Sequence, residues 1–189
     1  MFIDTHFHLL VMEKKGLDTS EFLTKFSNSF ESGMDIGVMP ADFEIRKRKY
    51  SYPENLKKTS GLYPGAVEEH QLDEQKKLLE KQAENGEIDA VGEAGLDWHW
   101  NYGSKESQIG LFCWQLELAE KFRLPLVIHN READAEMLDI FMGYKPDIPL
   151  ILHCYSSDSD FAGKVMDFNT YFSFSGNITY KNAENIREA

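Results

Sequence analysis

The sequence predicts an α/β fold, a (β/α)8 TIM-barrel-like domain that is incomplete at its carboxyl end, with about seven βα units. Short apolar runs alternate with longer amphipathic stretches along the whole chain, which is typical of strands and helices around a parallel sheet. Two of the runs, 124–129 and 148–153, have no polar face, as expected of parallel strands that are buried on both sides. Histidines and a carboxylate end several of the runs, where a barrel places its active site.

Seven strands are expected, most of them from an apolar run that a turn or polar residue closes. The first begins with the apolar pair 2–3, and we expect it to be short and buried. Pro40 closes the second strand, and Pro64 closes the third. The expected strands are 2–5, 34–39, 60–63, 88–93, 124–129, 148–153 and 171–176.

Helices are expected between the strands, from apolar side chains at helical spacing and from capping residues. Phe22, Phe26 and Phe30 share a helical spacing in the first. Asp42 is the expected cap of the second, and Ser104 that of a long later helix. The expected helices are 19–32, 42–50, 72–84, 105–122, 131–141, 158–168 and one from 181 onward.

Length and composition favour one globular domain, residues 1–189, with a substantial core. No stretch approaches the roughly 20 apolar residues that a membrane span needs, so we expect no membrane partner. The two cysteines, Cys113 and Cys154, have no disulfide-framework spacing, which favours reduced thiols and a cytoplasmic location.

The formal charge of −12 argues against extended contact with duplex nucleic acid, which needs many Lys and Arg opposite the phosphates. One basic run, 46–49 with Lys57 and Lys58, is the exception. It could form a short nucleic-acid rim or a solvated helix face, and we favour the solvated face.

Four of the six histidines, with one glutamate, indicate a metal site. His6 and His8 are two residues apart at the end of the first strand, so their side chains share one face. Glu93, His129 and His153 end the fourth, fifth and sixth strands, and these ends converge in a parallel barrel. Because five ligands exceed one tetrahedral zinc, Glu93 is expected to bridge two divalent ions. The alternative is that each histidine is satisfied by a loop.

Six sequence motifs, in register along the chain, resemble the TatD family of metal-dependent deoxyribonucleases in the amidohydrolase superfamily. The motifs are Asp-Thr-His-Phe-His-Leu, Gly-Leu-Tyr-Pro, Val-Gly-Glu-Ala-Gly-Leu-Asp, Leu-Pro-Leu-Val-Ile-His-Asn-Arg-Glu-Ala, Ile-Leu-His-Cys-Tyr-Ser and Ser-Phe-Ser-Gly-Asn-Ile-Thr. The resemblance implies a distorted TIM barrel that hydrolyses phosphodiester bonds with divalent ions, often as an exonuclease on single-stranded DNA. It also implies a set of metal ligands: His6, His8, Glu93, His129 and His153.

The chain departs from the family pattern in two places. Tyr63 stands where the family commonly has a histidine, which affects a substrate contact and not a metal ligand. The family's next strand, ending Glu-Thr-Asp, has no counterpart in residues 1–189, and its aspartate binds metal and handles the proton of the attacking water. The domain is therefore interpreted as C-terminally truncated, with Asp97 in a loop-ordering or supporting role.

We expect cleavage of phosphodiester bonds by a water that two divalent ions, Mg, Mn or Zn, activate. The expected partner is a single-stranded DNA end or a small phosphodiester. Arg131 either holds a substrate phosphate or is a surface arginine at a helix start. Trp98, Trp100 and Tyr102 either stack on a base or pack as a lid over the barrel rim, and we favour the lid.

Two other functions remain open. The same metal site could hydrolyse another small ester, phosphoester or amide, because the scaffold does not fix the reaction. Alternatively, the chain could be a truncated relative that binds metal or a partner without turnover. In that case the first and seventh strands would have unpaired edges.

Overall fold

Seven parallel strands form one sheet in which neighbours in the sequence are also neighbours in space, and the sheet curls into an open barrel. The computed structural model describes residues 2–189. The strands are β1 Phe2–Phe7, β2 Phe30–Asp35, β3 Leu56–Ser60, β4 Ala90–Asp97, β5 Leu126–Arg131, β6 Leu150–Leu152 and β7 Thr170–Phe172.

Helices connect successive strands. They are α1 Leu9–Lys14, α2 Thr19–Ser29, α3 Pro40–Lys49, α4 Leu72–Glu84, α5 Lys105–Phe122, α6 Asp134–Tyr144, α7 Ser159–Val165 and α8 Glu184–Glu188, with short 3-10 turns at Pro64–Glu68 and Gly176–Thr179. None of the helices within 2–189 is both long and apolar enough to cross a membrane.

The first and last strands are the weakly supported part of the sheet. Within the described chain, β1 pairs only with β2, and β7 pairs only with β6. Phe2 and Ile3 are 73% and 62% exposed, so the expectation of a buried first strand was wrong, because β1 lies at an open edge. A cavity of about 820 Å³ lies between β1 and β7. Thr5 Oγ1 donates a hydrogen bond of 2.9 Å to Ser173 Oγ across the same region.

The main core lies between the central strands and helices α4 to α6. Leu79, Phe112, Leu116 and Phe141 are fully buried there against residues of β4 and β5. Gln115 of helix α5 also reaches into this core and holds the backbone after the end of β3. Gln115 accepts a hydrogen bond from the Leu62 N–H at 2.7 Å and donates one to the Leu62 C=O at 2.9 Å. Both backbone groups of Leu62 therefore have partners although Leu62 lies outside the sheet.

The second and third strands lie earlier in the chain than the sequence predicted, at 30–35 and 56–60 instead of 34–39 and 60–63. Phe30, assigned to a helix, begins β2 and pairs in register with Phe2. β3 was misplaced because two of its buried residues are polar. Thr59 Oγ1 donates to Gly92 O at 2.6 Å, and Ser60 Oγ donates to Gln82 Oε1 at 2.7 Å. Buried polar groups with such partners leave no hydrophobic signal.

Several other boundaries shift by a few residues. Helix α3 begins at Pro40, after Met39, so Asp42 lies in its first turn and is not the cap. Strand β4 continues to Asp97, so Glu93 lies within the strand and not at its end. β5 and α6 begin later than expected, so His129 also lies within its strand and not at its end. α4 agrees with the prediction, and α5 begins with a capping box between Ser104 and Ser107.

The basic run is held by acidic partners. Arg46 is buried, and Lys47 and Lys49 form ion pairs with Glu87 and Glu13 at 2.5 and 2.6 Å. Outside α3, Lys57 approaches Asp89 at 3.7 Å. Residues 47–49 therefore form the solvated, charge-paired face that was expected, whereas the expectation was wrong for Arg46, which is buried.

Arg46 and Asp35 form a fully buried ion pair beside the end of β2, with 1% and 0% side-chain exposure. Arg46 Nη1 donates to Asp35 Oδ2 at 2.7 Å, and Nη2 donates to Thr59 O at 2.5 Å. Asp35 also accepts hydrogen bonds from the Leu9 N–H, at 2.9 Å, and from the Tyr52 hydroxyl. The pair therefore ties the segment after β1 to β2, α3 and β3.

We predict that Arg46→Leu lowers the free energy of unfolding by about 3–5 kcal/mol, because it leaves the Asp35 carboxylate buried without its partner. Urea unfolding followed by circular dichroism measures the change. Arg48→Leu, an exposed position on the same helix, is the control, with an expected change within about 0.5 kcal/mol. Equal effects of the two substitutions would contradict a stabilising role of the pair.

Candidate metal centre

His6 and His8 meet at the carboxyl end of β1. Their Nε2 atoms are 3.2 Å apart, and their rings are nearly perpendicular, at 82°. The Nδ1 atom of His8 lies 3.0 Å from the carbonyl oxygen of Ile36, which can only accept a hydrogen bond. Nδ1 therefore carries the proton, and Nε2 presents its lone pair toward His6.

Glu93 lies between this pair and a second pair of imidazoles. Its Oε1 atom is 2.9 Å from His129 Nδ1 and 3.1 Å from His153 Nε2. Its Oε2 atom is 3.5 Å from His6 Nε2 and 3.9 Å from His8 Nε2. Each oxygen of the carboxylate thus faces one pair of histidines, which is the arrangement that a bridging carboxylate requires.

His129 is oriented by a second carboxylate. Its Nε2 atom donates to Asp97 Oδ2 at 2.8 Å, so Nδ1, the atom that faces Glu93, is the nitrogen that would bind an ion. A carboxylate that holds the outer nitrogen of a histidine is the usual support of a metal ligand. Asp97 Oδ1 accepts the N–H groups of His99 and Trp100, at 2.9 and 3.0 Å. Asp97 therefore both supports His129 and orders the loop.

The contact between Asp97 and His129 was not predicted, although the sequence carries a signal for it. Glu93 and Asp97 are four residues apart, so on one strand their side chains share a face. The signal was lost because the predicted strand ended at Glu93, whereas β4 continues to Asp97 and pairs there with Arg131.

Electrostatics favour a charged Glu93. Burial opposes its ionisation, but the charge of His153 and hydrogen bonds from His129, His153 and His6 hold its pKa well below the usual value. Burial lowers the pKa of His6 and of His8, which favours the neutral, ligating form. For His129 burial acts in the same direction, but Asp97 and Glu93 outweigh it and raise the pKa to about 9.

These five side chains fit divalent ions. Their ligand atoms fall into two groups that share Glu93, one with His6 and His8 and the other with His129 and His153. Imidazole nitrogens 3.2 Å apart repel each other unless a proton or a cation lies between their lone pairs. Nitrogen and carboxylate donors suit Zn and Mn, and the carboxylate also suits Mg.

The surroundings of the centre include the other predicted residues. Arg131 ends β5 and, with His129 and His153, lines a cavity of about 300 Å³. Its guanidinium lies over the Trp100 ring, 5.9 Å from the centroid. Trp98 packs against the core, and Tyr102 contacts Tyr63 edge-on at 5.8 Å, which matches the lid interpretation for these two aromatics.

The chain resembles known proteins over almost its full length. A family model described as TatD related DNase matches residues 3–189. The chain belongs to this TatD-related DNase family. The family and the barrel-like fold expected from the sequence are thereby confirmed. The solved structure of YjjV, a TatD homolog from Escherichia coli, has a TM-score of 0.83 and 25% identity, over 98% of this chain and 72% of that chain.

Two curated relatives are described as uncharacterized metal-dependent hydrolases. The one from Mycoplasma genitalium is 32% identical over 164 residues, which cover 83% of this chain and 62% of the relative. YcfH from Escherichia coli is 37% identical over 108 residues, which cover 57% of this chain and 40% of the relative. The chain thus spans less than two thirds of the length of either relative.

We predict that Asp97→Asn weakens metal affinity by about 10- to 100-fold, because the amide cannot hold the His129 ring in the same protonation state. Titration against a chelator of known affinity measures the change. Asp139→Asn, an exposed position on α6, is the control and should bind metal like the unsubstituted chain. Unchanged affinity in Asp97→Asn would remove the supporting role from Asp97.

Proposed function

We propose that this chain acts as a divalent-metal-dependent hydrolase that cleaves phosphodiester bonds, most readily at a single-stranded DNA end. The observation that carries the proposal is the buried Glu93 carboxylate, with one oxygen toward each pair of histidines. The family match supports metal-dependent hydrolysis, and DNA as substrate rests on the family description alone.

The side chains divide the work of such a site. His6, His8, Glu93, His129 and His153 would hold two ions, Mg, Mn or Zn. When bound, these ions supply Lewis acidity to an attacking water and to the phosphate oxygens. Asp97 keeps His129 in the ligating orientation, so the centre is preorganised before substrate arrives.

Arg131 would position the phosphate. It is two residues from His129, and within residues 2–189 its guanidinium forms no salt bridge with a carboxylate. A planar guanidinium can bind two phosphate oxygens at once and fix the orientation of the scissile group. The family resemblance assigns the proton acceptor to an aspartate that residues 1–189 lack, which makes turnover by this chain the informative measurement.

The test of the proposal combines metal content with hydrolysis of a short 5′-labelled single strand and of a small phosphodiester, bis(p-nitrophenyl) phosphate. We expect two bound ions and metal-dependent cleavage of both substrates. In Glu93→Gln the rate should fall more than about 100-fold, because even residues that only support a ligand contribute 10- to 100-fold. Glu69→Gln, an exposed carboxylate, is the matched control.

Three outcomes would contradict parts of the proposal. Bound metal without cleavage of either substrate would favour a metal-binding relative without turnover. Cleavage of the small phosphodiester alone would remove DNA as the substrate. Cleavage that persists in Glu93→Gln would remove the assigned centre.

A separate prediction concerns Arg131. Arg131→Ala should raise KM for the labelled strand by about 10- to 150-fold, since hydrogen bonds to charged groups are worth about 1.5–3 kcal/mol. Metal content should not change, because Arg131 is not among the ligands. Arg131→Lys should recover only part of the loss, since it keeps the charge but not the planar fork. An unchanged KM in Arg131→Ala would show that Arg131 does not bind the phosphate and is a surface side chain.

A further inference from the structure

Trp100 is the most exposed of the Trp and Tyr side chains in the loop after β4. Trp98 packs into the core, and Tyr102 is held by Tyr63, whereas Trp100 is 54% exposed. The backbone of this loop is held by side chains of α5 and β4. Gln108 Nε2 donates to Tyr102 O at 2.8 Å, and Asp97 Oδ1 accepts the Trp100 N–H at 3.0 Å. The exposed indole therefore belongs to a loop whose backbone is held by hydrogen bonds.

The position of Trp100 is coupled to the metal centre by one carboxylate. Asp97 holds the Trp100 backbone with Oδ1 and the His129 ring with Oδ2, at 3.0 and 2.8 Å. A second link is the backbone bond of 2.9 Å from the Trp98 N–H to Arg131 O. The backbone of Trp100 is thus held in place, and its indole contacts Arg131, which lines a cavity together with His129.

The contacts of the ring suit a flat, uncharged partner. His99 meets it edge-on, at 5.1 Å and 89°, and Glu132 holds His99 in place at 3.0 Å. The Arg131 guanidinium lies over the ring at 5.9 Å, so an aromatic surface and a cation are combined at one edge of the cavity. Proteins bind single-stranded nucleic acid with this combination, because every base has a face that stacks and every linkage carries a charge.

We propose that Trp100 is a stacking platform for a nucleobase of the substrate, next to the phosphate that Arg131 holds. The assignment rests on the proposed function and adds a preference for nucleotides over other phosphodiesters. It concerns the recognition of a base and not the reacting bond. Stacking is tolerant of sequence, so Trp100 would select for the presence of a base and not for its identity.

The experiment compares binding of two tetramers of equal charge and length, one of deoxyadenylate and one of abasic residues, both with nuclease-resistant linkages. The metal-loaded chain should bind the first about 5- to 150-fold more tightly, the range expected for one stacked base. Trp100→Ala should reduce this ratio to about twofold or less. Trp100→Phe, which keeps a flat ring, should retain most of it.

Two further measurements separate the possible failures. Tyr144→Ala removes another exposed aromatic residue, at the end of α6, and should retain the full ratio. Binding is measured without turnover, so it tests base stacking separately from hydrolysis. A chain that is inactive in the hydrolysis assay but still prefers the base-bearing tetramer would contradict the proposed hydrolysis and support stacking on Trp100. A ratio that is unchanged in Trp100→Ala, with an unchanged circular dichroism spectrum, would overturn the platform. A ratio of one in the unsubstituted chain would do the same.

Discussion

The buried charge of Glu93 is the constraint around which the site is organised. A carboxylate inside a strand that is buried along its whole length would be strongly destabilising by itself. Four imidazoles compensate it, and they come from β1, β5 and the segments directly after β1 and β6. The parallel order of the strands brings these segments to one edge, so the topology and the electrostatics of the site depend on each other.

A second layer of polar contacts converts this cluster into a defined geometry. Asp97 accepts a hydrogen bond from Nε2 of His129, and the Ile36 carbonyl accepts one from Nδ1 of His8, so both rings are held in one orientation. Gln108 in turn receives the Asp97 N–H through its Oε1 atom at 2.9 Å. Polar side chains from helices therefore hold the strand ends in place, where a sheet ladder alone would leave groups unsatisfied.

The sequence predicted much of this arrangement, and the errors have physical causes. The helices α4 and α5 agreed because apolar spacing and a capping box are local signals. β3 was misplaced because buried Thr59 and Ser60 obtain their partners from distant parts of the chain. Such partners cannot be seen in a local window, so hydrophobicity alone misses the strand.

In the site, too, local sequence signals were predicted correctly and contacts between distant residues were not. The two-residue spacing of His6 and His8 indicated a shared face, and the structure places both beside Glu93. A supporting or loop-ordering role was expected for Asp97, but its partner His129 was not predicted, because that contact depends on how far β4 extends. The different environments of Trp98 and Trp100 also depend on the folded loop and not on residue type.

The unequal support of the strands has a consequence for the two halves of the centre. Within residues 2–189, His6 and His8 lie on and directly after β1, which pairs with β2 alone, whereas His129 lies on β5, which is paired on both sides. Local opening costs least where few contacts hold the backbone, so amide hydrogens of β1 should exchange with solvent sooner than those of β5. The half of the centre built on β1 would then be the adaptable one, and the half on β5 would keep its shape as the first fluctuates.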